Sequence, residues 1–172
     1  MSDQSPVIRT REMGADAGLS VRHPFNPNAE INILPLSRMT GLKSCHLNLG
    51  RLPPGKESFA AHAHTVQEEF IFILEGTGRL IIGGDEFDVE AGDYVAFPPN
   101  GAPHNLSNSG DTELVYLMGG GGSEVDVIQF PDAKKLMVMT GETIRFFDQD
   151  MAETYTMDEW FARVTGQNDG DK

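Results

Sequence analysis

The chain has 172 residues, 39% of them hydrophobic and 23% charged, ordinary proportions for one globular domain with its own core. It carries 13 Lys and Arg against 26 Asp and Glu, a formal net charge of −13, so it lacks the basic surface that a nucleic acid or an anionic membrane requires. Cys45 is the only cysteine, which excludes an intrachain disulfide and any four-thiolate zinc or iron–sulfur site within the chain.

The N-terminal run MSDQSPVIRTREMGADAG has no apolar stretch of the kind that forms a signal-peptide core, and the expectation is a cytoplasmic protein. Residues 1–22 are polar and charged, and read as a tail or as a clamp on a neighbouring subunit. The following HPFNPNAEINILPLSRMTG contains three prolines and several Asn, which predicts an extended, irregular path rather than a helix.

From Gly41 the texture changes. KSCHLNL, EFIFIL, GRLII, EFDV, YVAFP and ELVYLM are short apolar or alternating runs, each closed by Gly, Pro, Asn or Asp, the pattern of an all-β sandwich or barrel. Gly83-Gly84 supplies the positive φ angles of a two-residue hairpin, and Gly92 can take a conformation closed to other residues in the turn after Glu90. The glycines at 119–122 read as a flexible exit from the last core strand, with VDVIQF a further strand that stops at Pro131. The Met-rich LMVMT and Phe146-Phe147 read as packing surface. Near the C-terminus, Thr156 and Glu159 have capping-box spacing, and Trp160, Phe161 and Val164 form one apolar face of a helix near 157–164. That face is expected to pack on the barrel or on a second subunit.

The chemistry gathers in two stretches. In AHAHTVQEEF, His62 and His64 are two residues apart, so on a strand they project to one face. A carboxylate opens the next strand, EFIFIL, where a short turn brings it back beside the pair. His104 follows a Pro- and Gly-rich turn further on. Three imidazoles and a carboxylate make a mixed nitrogen and oxygen set suited to Fe, Mn, Ni, Co or Zn, with positions left open for water or substrate.

PGKESFAAHAHTVQEEFIFILEGTG resembles the first motif of the cupin superfamily, with Gly55, His62, His64, Glu69 and Gly76 at the matching positions. GDYVAFPPNGAPHNLSN resembles the second, through Gly92, Pro99, Gly101, His104 and Asn108. Each stretch carries one extra residue, after Gly55 and between Gly92 and Pro99, and both insertions fall in or near turns. The chain also resembles a branch of short bacterial cupins in which a strand after the barrel ends in Pro-Asp, here Phe130-Pro131-Asp132.

The resemblance implies a double-stranded β-helix, or jelly-roll, barrel over about 41–130, preceded by an extended segment at 1–40 and followed by a C-terminal extension at 131–172. It implies one divalent transition-metal ion on His62, His64, Glu69 and His104, and no organic cofactor. Glu68 competes with Glu69 for the ligand role; counting back six residues from Gly76 selects Glu69, which then shares its strand face with Ile71 and Ile73.

Weaker candidates for a catalytic role are Tyr94, Tyr116 and His46. In KSCHLNL, the residues Cys45, Leu47 and Leu49 form the apolar face and His46 lies opposite, which points His46 outward or to an interface. Cys45 reads as a small core residue, His23 as a surface residue and Asn108 as a turn holder. The resemblance implies either a metal-dependent enzyme acting on a small oxygen-rich metabolite, of the dioxygenase or the isomerase and lyase type, or a module that only binds a small molecule. A homodimer is the expected assembly.

Overall fold

The structure, a computed structural model, describes residues 5–14 and 17–166; the remainder of the predicted N-terminal tail lies outside the described residues. The first half of the chain forms β1 (Leu19–His23), β2 (Asn26–Leu34), α1 (Leu36–Thr40), β3 (Cys45–Leu52), β4 (Ala63–His64), β5 (Glu69–Glu75) and β6 (Thr77–Ile82). The second half forms β7 (Asp85–Glu90), β8 (Tyr94–Phe97), β9 (His104–Asn108), β10 (Leu114–Gly121), β11 (Val125–Phe130), β12 (Lys135–Thr140), β13 (Thr143–Asp148) and α2 (Met157–Thr165). The sheets run β1-β2-β3-β10-β5-β8, β13-β12-β11-β4 and β7-β6-β9.

The segment expected to be irregular is more ordered than its prolines imply. It makes the β1–β2 hairpin, joins the barrel through β2 against β3, and adds the single-turn α1 closed by Gly41 in the left-handed conformation. Pro27 is at the second position of β2, before the ladder to β3 begins at Asn32, so its missing N–H costs that ladder nothing.

Alternation along the strands builds a core on each side of β3 and β10. Ile31, Leu52, Ile71, Ile73, Leu80, Leu106, Leu114 and Tyr116 point between the sheets and are buried. Full burial of an aliphatic side chain such as Leu52 or Ile73 stabilises by about 1.5–3 kcal/mol. On the other side of β3 and β10, Leu49 and Val115 pack with Leu34 beneath Met13, Leu36 and Met39. The N-terminal segment is thus an outer layer, and β3 is covered on both faces.

The glycines at the end of β10 continue the strand instead of leaving it. Gly120 pairs with Glu69 on one side and His46 on the other. A Cβ at Gly119 would meet the His46 carbonyl at 2.4 Å, and one at Gly120 the Glu68 carbonyl at 1.8 Å, so only glycine allows β10 to lie this close to both neighbours. Gly83 and Gly84 make the β6–β7 turn with φ of 60° and 101°, as their sequence predicts.

At the C-terminus, β12 and β13 form a hairpin beyond β11, and all of β13 is exposed. Thr156 and Glu159 form the expected capping box at the start of α2. Trp160, Phe161 and Val164 are left about half exposed, at 46%, 55% and 54%.

Candidate metal centre

Three strands deliver the polar cluster at one end of the barrel. His62 and His104 face each other as a backbone bridge, His62 N–H donating to His104 O at 3.1 Å and the reverse bond at 2.9 Å. Glu69 begins β5, pointing inward with Ile71 and Ile73. The ligand atoms of His62, Glu69 and His104 all lie within 4.8 Å of one another. Glu69 Oε2 stands 3.7 Å from His62 Nε2, 3.3 Å from His104 Nε2 and 3.3 Å from His64 Nε2. His64 therefore reaches the same carboxylate oxygen but stands apart from the tighter trio. Glu68 is exposed at the rim, its backbone carbonyl accepting from Gly121 N–H.

The partners of the other ring nitrogens decide what these imidazoles offer. His62 Nδ1 lies 2.9 Å from the Ala60 carbonyl, which can only accept, so Nδ1 carries a proton and Nε2 is the nitrogen turned to Glu69. His64 Nδ1 lies 2.5 Å from the Asp126 carboxylate. The His104 ring is stacked on Phe97, centroids 3.7 Å apart and planes 8° from parallel, and its buried Nδ1 has no hydrogen-bond partner among the described residues.

Burial alone would raise the Glu69 carboxyl, but hydrogen bonding to His104, His62 and His64 outweighs it and holds the group far below the usual carboxylate range. At His64, burial is outweighed by Glu69 and Asp126, and the imidazole is raised. At His104 burial wins and the imidazole is lowered. Where those hydrogen bonds are made, a proton stands between each ring nitrogen and the carboxylate; a metal ion would displace the protons and be held by the same atoms. Ligands about 2.0–2.2 Å from one ion stand roughly 3–3.5 Å apart, close to the spacing here, so the donor set fits a transition metal in size and chemistry.

His62, Glu69 and His104 line a cavity of about 330 Å³ with mixed walls. Ser58, Asn105 and Tyr116 supply polar wall, and Phe59, Ile71 and Leu80 apolar wall. Among the described residues no Lys or Arg lines it.

Several expectations need correction. His46 is exposed, as expected, and also borders the cavity, because the opposite face of β3 is the one covered by Leu36 and Met39. Cys45 is exposed rather than in a core, since it lies at the end of β3 opposite Gly121, away from that cover. Tyr94 is 62% exposed on the outside of β8, where it packs against Phe70, and has no place in the site. Tyr116 is in the cavity wall, 1% exposed, and burial keeps its phenol well above the ordinary value. His23 is half-buried among Phe25, Phe59 and Phe130, and burial, then the neighbouring His62, lower its imidazole. Asn108 is the turn holder expected: its amide donates to the Leu52 and Thr112 carbonyls and its oxygen accepts from Gly110 N–H.

Sequence reasoning missed Asp126. The available signal was a single carboxylate in VDVIQF two and four residues before Ile128 and Phe130, which places it on the buried face, where a charge must have partners.

Residues 48–120 match the cupin domain family, a span holding all four candidate ligands. The fold is similar to a putative sugar phosphate isomerase from Acidithiobacillus ferrooxidans, at 29% identity and a TM-score of 0.81 over 87% of this chain and 96% of that one. It is also similar to a sugar phosphate isomerase of the cupin superfamily from Silicibacter pomeroyi, at 27% identity and a TM-score of 0.67 over 75% of this chain and 82% of that one. A curated relative, the oxalate-binding protein of Thermotoga maritima, is 37% identical over 39% of this chain and 54% of its own length. The chain spans about half the length of the curated relatives it matches. Among the described residues no helix is long and apolar enough to cross a membrane.

Proposed function

We propose that the barrel, of which residues 48–120 match the cupin domain family, holds one divalent transition-metal ion on His62, His64, Glu69 and His104, and acts on a small oxygen-rich metabolite by proton transfer next to a carbonyl. The observation that carries the reading is the convergence of imidazole Nε2 atoms on Glu69 Oε2 at 3.3–3.7 Å. A metal ion there would supply Lewis-acid polarisation of a ligand oxygen. The chain's own residues do the rest. Ser58, Asn105 and the apolar wall orient a ligand and limit water. His46, exposed at the edge of the same cavity, is the imidazole assigned to the proton transfer.

The two isomerase-named neighbours support proton transfer. Their substrates do not carry over whole: with no Lys or Arg on the wall among the described residues, a phosphate group would lack the charged donors that normally hold it. Hydroxy-carbonyl compounds without phosphate fit better. A second reading, binding without turnover, is supported by the oxalate-binding relative.

The test is elemental analysis of untagged protein beside a His62→Ala/His104→Ala control, followed by incubation with hydroxy-carbonyl compounds in D₂O. Near-stoichiometric metal and deuterium uptake at the carbon beside the carbonyl support the enzyme reading. Saturable binding with no deuterium uptake replaces it with the binding reading, and metal-independent behaviour removes both. Stoichiometric iron with oxygen consumption would redirect the reaction to dioxygen insertion.

We also propose a homodimer, supported by the apolar side chains Ile144, Phe146, Phe147, Trp160 and Phe161 that β13 and α2 leave exposed. Native mass spectrometry showing only monomer at micromolar concentration would overturn it.

A further inference from the structure

Asp126 lies beyond the span matched to the cupin domain, on β11, which pairs with β4 by setting Ile128 opposite His64 and Gln129 opposite Ala63. It is 0% exposed. Its Oδ1 accepts from Val66 N–H at 2.9 Å, from Val127 N–H at 2.9 Å and from the Thr65 hydroxyl at 3.3 Å. Those donors fix the plane of the carboxylate and leave Oδ2 for His64 Nδ1 at 2.5 Å.

We infer that Asp126 is a positioning residue for the metal centre, an inference that rests on the proposed metal role of His64. By accepting from Nδ1–H it locks the neutral ring in the tautomer whose Nε2 is bare, and it holds that Nε2 toward Glu69 Oε2. His62 has the Ala60 carbonyl for the same task, and the His104 ring is held only by stacking on Phe97, whereas the Nδ1 of His64 is held by a side chain from outside the matched barrel segment. The strand after the glycine run is therefore part of the site and not merely an extension of the sheet.

Asp126→Asn tests this with little change of volume. With its oxygen kept by the same donors, the carboxamide N–H₂ faces His64 Nδ1, donor against donor, so the ring must turn or move its proton to Nε2. The expected result is Zn(II) or Co(II) affinity reduced about 10–100-fold, measured by competition with a chromophoric chelator. The visible bands of the Co(II) form should change in position or intensity, which a general loss of stability would not cause. Affinity and Co(II) spectrum both equal to those of the unsubstituted protein would overturn the inference. Should the variant fail to fold, the unsubstituted protein still decides: ring-nitrogen NMR of the metal-free chain at alkaline pH should show His64 protonated on Nδ1. A proton on Nε2 instead overturns the inference. If the unsubstituted chain takes up no metal, the metal reading fails, and the NMR result separately reports whether Asp126 sets the His64 ring.

Discussion

His62 and His104 are hydrogen-bonded to each other backbone to backbone, N–H to O in both directions at 3.1 and 2.9 Å, and their rings lie 4.6 Å apart centre to centre. Two candidate ligands far apart in sequence thus have their spacing fixed by the main chain, before any side chain chooses a rotamer. Such a pair is preorganised, and the cost of bringing the ligands together is met in folding.

Metal should therefore stabilise the fold. Adding metal at about 100 times its Kd raises unfolding free energy by about 2.7 kcal/mol, seen as a higher Tm. In the His62→Ala/His104→Ala protein the increment should vanish while the metal-free Tm stays measurable. An equal rise in both proteins would show that the metal binds elsewhere.

Glu69→Gln should separate the two states of the site. Without metal, hydrogen bonds from the imidazoles outweigh the burial of the carboxylate, and an amide replaces only part of them. The metal-free variant should melt lower than the unsubstituted protein and also lose the Tm rise on metal addition. Calorimetry with and without Zn(II) reads both.

Gly120→Ala should damage the site through the backbone. The added Cβ would fall 1.8 Å from the Glu68 carbonyl, next to Glu69, so β10 and β5 must separate. Destabilisation on the order of 1–3 kcal/mol is expected by denaturant titration, together with weaker metal binding. Unchanged stability would mean that the strands part without cost.

Tyr116→Phe should be nearly neutral, within about 1 kcal/mol, because the buried hydroxyl it removes has no hydrogen-bond partner among the described residues. A drop in Tm much beyond that would assign the hydroxyl a bond, with Ser58 the nearest partner to test.

Glu57 ties the N-terminal hairpin to the barrel, accepting from Asn26, Asn28 and Asn105 side chains at 2.7, 3.2 and 2.6 Å. Burial raises its carboxyl, but the three amides outweigh burial and lower it below the ordinary 4.5. The unfolded state therefore binds the proton more readily, and the stabilisation is fully present above 4.5 and lost as pH falls through the lowered folded value. Glu57→Gln should cost about 1–3 kcal/mol at neutral pH, and the gap from the unsubstituted protein should narrow on acidification. A gap independent of pH would contradict this.

The sequence by itself determined the features that depend on neighbours along the chain. Runs such as EFIFIL and GRLII pair with turn residues like Gly83-Gly84, so the strands and their tight turns follow from local backbone freedom. The His62 and His64 spacing follows from the two-residue strand period, and the α2 cap from the Thr156 and Glu159 spacing.

Tertiary structure decided which strand face is inside. Alternation tells two faces apart without saying what covers each, and β3 is covered on both. Leu49 therefore turned to the outer layer under α1, and His46, still exposed, to the edge of the cavity. The same ambiguity sent Tyr94 out and Tyr116 in, and left Cys45 exposed where the outer cover ends. Asp126 and the glycine run depend on strands brought together from distant parts of the chain. Their partners, His64 for the carboxylate and the Glu68 carbonyl for the space Gly120 leaves, exist only once the barrel has closed.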